Sequence, residues 1–512
     1  MGILIRILLI IILCLFVTPA FGATKYYAQS AAGSEDGSSC SNADAIADIA
    51  YSASDEIHLC GTITSKITIG ANSVNLIFES GAKLSTTTWT SGGFITVSSK
   101  SGVVIDGGSN GIIEATDNGT TSAFGGTKGN ADDLAAISLS SCTNCEIKNL
   151  TIKTIYDRLA NSADCNAKGD GILATGDISG LSIHNNTISD CHEPIRAIAT
   201  TTSSGVNIYN NTLSDLGVGI RAAPFNADVS TVNVYGNTVT GGSKWDGEWT
   251  VDPCACGEGN CGDGHVHQDG MQLYTVAGDS FTGLKVYNNF LQDFGTHSTA
   301  HIYVENAGAA SGGTITSPQI YNNVFINTGA NYAANGMLTC KSVASPSILN
   351  NTFVGNYPTT SGNSGLFLSS AGTTYNTNIT LKNNIISSVQ YYVNASSNIG
   401  TNHTFTASTY NCLYNGDAST PFYDGSMRSM AYWTGTLGLD ATGSITTDPG
   451  LDGSYKPGAS SNAKWAGTAT GQLSATDKLG IAWHSPPSIG AYEYYEQGSI
   501  RGGVTVSGGT IQ

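Results

Sequence analysis

The chain has 512 residues, of which only 12% are charged and 63 are glycine, and its net charge is -17 with a pI of 4.7. So little charge excludes coiled coils, long helical bundles and disorder, and the acidic balance excludes a nucleic-acid partner. What is left is a Gly- and Asn-rich, β-dominated protein.

Residues 2–17, GILIRILLIIILCLFV, form an apolar run with one early Arg, and small residues follow at 18–23. The run is shorter than the ~20 residues of a membrane span. It predicts a signal peptide over 1–22, and with it a secreted protein, extracellular or periplasmic, that is not membrane-embedded once the signal is cleaved. An oxidising compartment favours disulfides among the eleven cysteines that remain of twelve once Cys14 leaves with the signal. Cys40–Cys60 and Cys165–Cys191 are the pairings suggested by position. Tyr26 and Tyr27 begin a strand and Asn42–Ser52 reads as a short helix, so 23–74 is expected to be an N-terminal strand and capping helix, since solenoid ends need covers.

A repeat fills the middle. LSIHNNTISD starts at Leu181, VNIYNNTLSD at Val206, VNVYGNTVTG at Val232, LKVYNNFLQD at Leu284, PQIYNNVFIN at Pro318, PSILNNTFVG at Pro346 and ITLKNNIISS at Ile379. Each copy alternates apolar residues, turns at Asn-Asn or Gly-Asn, and continues as a second short strand. Asn and Gly tolerate left-handed backbone angles, and stacked Asn amides can bond from copy to copy. The pattern predicts an all-β fold, a right-handed parallel β-helix over 75–410, with like residues stacked at the ~4.8 Å strand spacing. Residues 411–496 lack the repeat and are expected to cap or flank the helix; 497–512 form a Gly-rich tail.

The NNT ladder, VVIDGGSNGIIEA from Val103 and the closing PSIGAYEY from Pro487 resemble secreted right-handed parallel β-helix proteins of the pectate-lyase-like superfamily. That superfamily includes lyases, hydrolases, epimerases and non-catalytic surface proteins, so the resemblance is specific for fold rather than activity.

A shorter motif leads each repeat. Aligning its inward apolar residues as Ile172, Ile195, Ile220, Met271, Ile302, Met337 and Leu366 places alternate neighbours outward. One face then carries Asp170, Glu193, Arg196, Arg221, Asp269, Gln272, His301, Tyr303 and Glu305, with Lys341 beyond. In a chain this poor in charge, that strip is the candidate site. The step from Asn237 to Asn289 is the longest, and holds an inserted loop, 241–266, with Trp245 and Trp249 suited to stacking on sugar rings. Cys254, Cys256, Cys261, His265 and His267 do not match the usual zinc spacing, and export favours a disulfide-closed loop, so zinc is not expected. His267 and Asp269 share one side of an extended strand and can act as acid and base.

The resemblance implies an enzyme of the polysaccharide-lyase type, acting on an acidic, uronate-containing polysaccharide by proton abstraction and β-elimination. The catalytic candidates are Arg196, Arg221, His267, Asp269 and His301, with an arginine as base or carboxylate clamp. Gln272, Tyr303, Glu305, Lys341, Trp245 and Trp249 are substrate-binding candidates. Asp170, Glu193 and Asp269 are the candidate ligands for Ca²⁺, which prefers oxygen donors. No R-x-P-x-x-R of pectate lyases is found, Arg221-Ala-Ala-Pro224 only approaching it, and no Gly-His-Gly of polygalacturonases occurs. The alternatives are a glycoside hydrolase on the same groove and a non-catalytic surface glycan-binding or adhesin β-helix. A monomer with a polysaccharide partner is expected in each case.

Overall fold

Strands of two to eight residues, punctuated by Asn, Ser, Asp and Gly at left-handed angles, stack through the coils on the equivalent strand one repeat away. The computed structural model describes residues 22–87, 92–116, 134–155, 169–241, 269–294, 299–328, 336–357, 363–416, 419 and 421–496. Among these the strands form three sheets of 15, 12 and 13 members, here A, B and C, visited in turn by each coil. Every pairing between coils is parallel; the antiparallel pair Phe422–Tyr423 with Met427–Arg428 marks the end of the stack. The fold is a right-handed parallel β-helix, the hand that parallel crossovers take almost without exception.

The core is a set of internal columns. On sheet A, Ile57, Leu76, Ile105, Ile147, Ile183, Ile208, Val234, Val286, Ile320, Ile348 and Leu381 follow one another in register, all buried. Outside the same sheet, His184, Tyr209, Tyr235, Tyr287 and Tyr321 stack ring on ring, with centroids 4.4 to 4.8 Å apart.

At the bend from sheet A to sheet B, the first Asn of each pair takes the left-handed angle (Asn185 φ 56, Asn210 φ 53, Asn288 φ 57), and Gly236 (φ 65) does so where the repeat reads Gly-Asn. The second Asn turns inward. Asn186, Asn211, Asn237, Asn289, Asn323, Asn351, Asn384 and Asn411 form a buried ladder, each Nδ2 donating to the next Oδ1 at 3.0 to 3.1 Å.

The coils begin earlier than the sequence suggests. Thr24–Ala28 already pairs in parallel with Glu56–Cys60, and the stretch read as a capping helix is two 3-10 turns, Cys40–Asn42 and Ile46–Asp48. Cys40–Cys60 forms as expected. A second bridge, Cys142–Cys145, closes a turn. Cys191 is a buried free thiol, so it is not bridged to Cys165, which lies outside the described residues. Trp433, stacked on Phe422 at 4.2 Å and donating Nε1 to Asp440, closes the C-terminal end. The following segment folds back over sheet B, where Ala491 and Tyr492 cover Val324 and Ile326. No helix among the described residues is long and apolar enough to cross a membrane. The signal peptide expected at 1–22 falls, but for Gly22, outside the described residues, as does the tail 497–512.

Candidate functional site

Two rows of side chains stand on the outer face of sheet C. The first runs in register through Leu173, Arg196, Arg221, Gln272, Tyr303 and Thr339. The second, two residues further along each strand, includes Tyr274, Glu305 and Lys341. Alternation along extended strands puts both rows on one side, so the sequence-derived strip is assembled as expected in its arginines, Gln272, Tyr303 and Glu305.

Two corrections follow from the head of the sheet C strands. There, two successive residues face inward, because the chain is still bending in from sheet B. A Cβ at Gly219 would lie 2.8 Å from Val239 Cγ1, and one at Gly270 2.8 Å from Leu291 Cδ2, so most coils leave no room for a side chain. In the next coil His301 occupies this inward position. It is fully buried, 4.9 Å edge-on from Phe294, with Nε2 donating to the Ile326 carbonyl at 2.9 Å. Burial lowers its pKa to about 4, the bond to Ile326 opposing. His301 therefore stands in the core, not on the strip. The alignment of Met337 with Ile302 is also displaced by one residue: Leu338 pairs with Ile302, which carries Lys341 into register with Glu305. Their ends meet at 2.6 Å.

The acids at the strand heads turn toward the outer face. Glu193, 2% exposed, reaches Arg221 Nη1 with Oε1 at 2.6 Å and lies 3.5 Å from Arg196 Nε through Oε2. Asp170 Oδ2 is 3.6 Å from Arg196 Nη1. Arg221 Nε also donates to Gln272 Oε1 at 3.0 Å. Two guanidiniums on adjacent coils are thus held from beneath by buried carboxylates while keeping part of their surface open. Burial works against the charge of Arg196, but Glu193 and Asp170 more than offset it and its pKa is raised.

Tyr274 stands next to this group. Burial raises its pKa, while Arg221 and Arg196 pull the other way and Glu193 and Glu305 add to the rise. Tyr303 is raised by burial, with Glu305 and Asp269 adding to it. His192 Nδ1 lies 3.8 Å from Glu193 Oε1. Sequence reasoning missed Tyr274 and His192; the outward position two residues after Gln272, and the place just before Glu193, were the available signals.

Asp269 is not brought to the arginines. Its Oδ1 accepts from the Ala300 amide at 2.8 Å and from the Thr299 hydroxyl. Asp170 pairs with Glu193, but the partner of Asp269 is Val218, which puts Asp269 two coils, about 10 Å, from Glu193. As a Ca²⁺ set the three acids do not fit: they are split along the axis, and two already face guanidiniums. No cluster of three or more metal-ligating side chains occurs among the described residues. Trp245, Trp249, His267 and the Cys254–His265 motif lie outside the described residues.

No protein-family model and no curated protein matches the chain. Solved structures are similar to it at low identity. The A-module of mannuronan C-5 epimerase AlgE6 from Azotobacter vinelandii is 10% identical over 77% of this chain and 91% of that one, with a TM-score of 0.39. Pectate lyase Pel9A is 13% identical over 93% and 97%, at 0.37. A hyperthermoactive exopolygalacturonase from Thermotoga maritima is 9% identical over 65% and 84%, at 0.35.

Proposed function

We propose that the chain is an extracellular polysaccharide lyase-type enzyme that cleaves an acidic, uronate-containing glycan by β-elimination. The observation that carries this reading is the arginine pair: Arg196 and Arg221 sit in register on adjacent coils, bridged from below by buried Glu193, with Tyr274 on the coil next to Arg221. Paired guanidiniums suit a carboxylate, which they bind through several parallel N–H bonds. They are clamps rather than bases, because a guanidinium is not deprotonated in proteins. Neutralising the uronate carboxylate acidifies the proton on C5 and stabilises the charge that develops when it leaves.

We assign the transfer of that proton to Tyr274. It acts as the phenolate, the form that Arg221 and Arg196 favour against its burial: the phenolate oxygen takes the proton from C5, the C5–H electron pair becomes the C4=C5 double bond, the C4–O4 bond breaks, and the same proton passes from the phenol to the departing O4, restoring the phenolate. Gln272 and Tyr303, next along the row, bond the hydroxyls of the neighbouring sugars. A hydrolase would need two carboxylates with access to the glycosidic bond. Asp170 and Glu193 are committed to the arginines, which favours the lyase.

The test is incubation of the protein with uronate polysaccharides, following the near-ultraviolet absorbance of the unsaturated uronate product. Appearance of that product in the wild type, and its loss in Tyr274→Phe with binding retained, is expected. New reducing ends without the chromophore would replace the lyase with a hydrolase. Binding without any product would leave a non-catalytic glycan-binding β-helix.

A further inference from the structure

We propose that the glycan taken by this face is sparsely charged, with its uronates separated by neutral sugars, and is not a homopolyuronate. The inference rests on the lyase reading and names the substrate class of the same site. It starts from the order of charges along the helix axis. Coils repeat every ~4.8 Å, a step comparable with one pyranose of an extended glycan, so a chain lying along sheet C meets about one coil per sugar.

The arginine pair occupies two adjacent coils. The next two positions of the first row, Gln272 and Tyr303, are uncharged. In the second row the coil of Tyr303 presents Glu305, a carboxylate. Among the described residues the next cation of the face, Lys341, lies three coils beyond Arg221, about 14 Å along the axis, and it is already tied to Glu305 at 2.6 Å. Among the described residues of this face, the four carboxylates of Asp170, Glu193, Asp269 and Glu305 stand against the three cations of Arg196, Arg221 and Lys341.

A homopolyuronate would bring a carboxylate to every coil. Two would meet the arginines, one on each coil; the following ones would meet an amide and then a phenol beside Glu305, with no cation between among the described residues. The chain's charge of -17 adds a long-range repulsion of the same sign. A polymer of alternating uronate and neutral sugar can set one carboxylate on Arg196 and the next on the Gln272 amide, two coils on, which leaves a neutral sugar to hydrogen-bond Tyr303 and Glu305. Juxtaposed like charges are the usual means by which an interface rejects a wrong partner, and Glu305 supplies one here.

The experiment compares the intact protein on two substrate sets. Polygalacturonate and polymannuronate are the homopolymers. Hyaluronan and unsulfated chondroitin carry a uronate on every second sugar, with a neutral N-acetylhexosamine between. Cleavage and binding of the alternating set at least about tenfold better than the homopolymers is expected. Added salt should weaken binding of the alternating set and relieve the rejection of homopolymers. Glu305→Gln should narrow the preference several-fold by raising the homopolymer rate. Faster use of homopolymers by the wild type, or a preference unchanged by both salt and Glu305→Gln, overturns the sparse-charge inference and leaves the lyase standing. Binding of the alternating set without cleavage overturns the lyase and keeps the inference. Binding of neither set overturns both.

Discussion

Two columns of polar side chains run along this β-helix, and they differ in kind. The Asn ladder at the bend between sheets A and B repeats one residue eight times, is buried throughout, and satisfies each amide with the next one. The outer row of sheet C changes residue at almost every coil, pairs opposite charges across coils, and keeps its arginines partly open to solvent. Repetition is what stacking requires, since an identical side chain meets an identical partner 4.8 Å away. Departure from repetition, kept on an open face and supported by buried counter-charges, is what a site requires. A column's uniformity therefore separates scaffold from site more sharply than its polarity does.

The comparison breaks first at the ladder. Asn237 accepts from the Asn211 amide and side chain and donates to Ile208 and Asn289. Asn237→Ala strands several buried groups at once, each worth ~1–3 kcal/mol. A loss of about 3–5 kcal/mol, read from chemical denaturation, is expected, with the catalytic constants of the folded fraction unchanged. A loss under about 1 kcal/mol would mean that water or relaxation replaces the ladder. On the sheet C face the effects reverse. Tyr274→Phe should lower turnover by about 10²–10⁴-fold and leave the denaturation midpoint alone; a midpoint shift with unchanged turnover would return Tyr274 to the scaffold.

The ladder was legible because its signal is local. Asn-Asn followed by Thr or an apolar residue fixes both the left-handed bend and the inward amide, and seven copies set the register. Arg196, Arg221, Gln272 and Tyr303 were legible for the same reason, each following an inward Ile or Met. His301 was not, since the double inward turn at the strand head appears in sequence only as a run of glycines at 171, 219 and 270, the mark of tight packing as well as of a bend. Met337 and Leu338 are both apolar and both buried, so composition could not decide which one pairs with Ile302. The link from Glu193 to two arginines spans two coils, and nothing in the spacing of carboxylates distinguishes a metal ligand from a counter-ion.

The buried histidines give a pH-dependent test of the same division. His301 and His403 are both fully buried, and burial lowers the pKa of each to about 4. The folded state therefore keeps them neutral at pH values where the unfolded chain, with an ordinary value near ~6.5, takes up protons. Stability that is present above about pH 6.5 is lost as the pH falls toward 4, and the loss stops once the folded state protonates too. About 3 kcal/mol for each ring is expected across that window. His301→Gln should remove its share of the slope. An unchanged slope would show that the ring titrates alike in both states, and so is open to solvent as a strip residue would be.

The smallest effect belongs to the tyrosines outside sheet A. Tyr235 lies 4.8 Å from both Tyr209 and Tyr287 with nearly parallel planes. Such pairs contribute about 0.5–1.5 kcal/mol beyond the area they bury. Register alone would bring these rings to strand spacing even without attraction, so the contact does not by itself prove a contribution. A double-mutant cycle of Tyr235→Leu and Tyr287→Leu separates the two, because it cancels what each ring does with the rest of the sheet. A coupling of about 0.5–1 kcal/mol is expected, with cleavage and glycan binding unaltered. Zero coupling would make the ladder a by-product of the stacking. A change in glycan binding would mean that a uniform column can also be a site, and would undo the rule drawn from the asparagines.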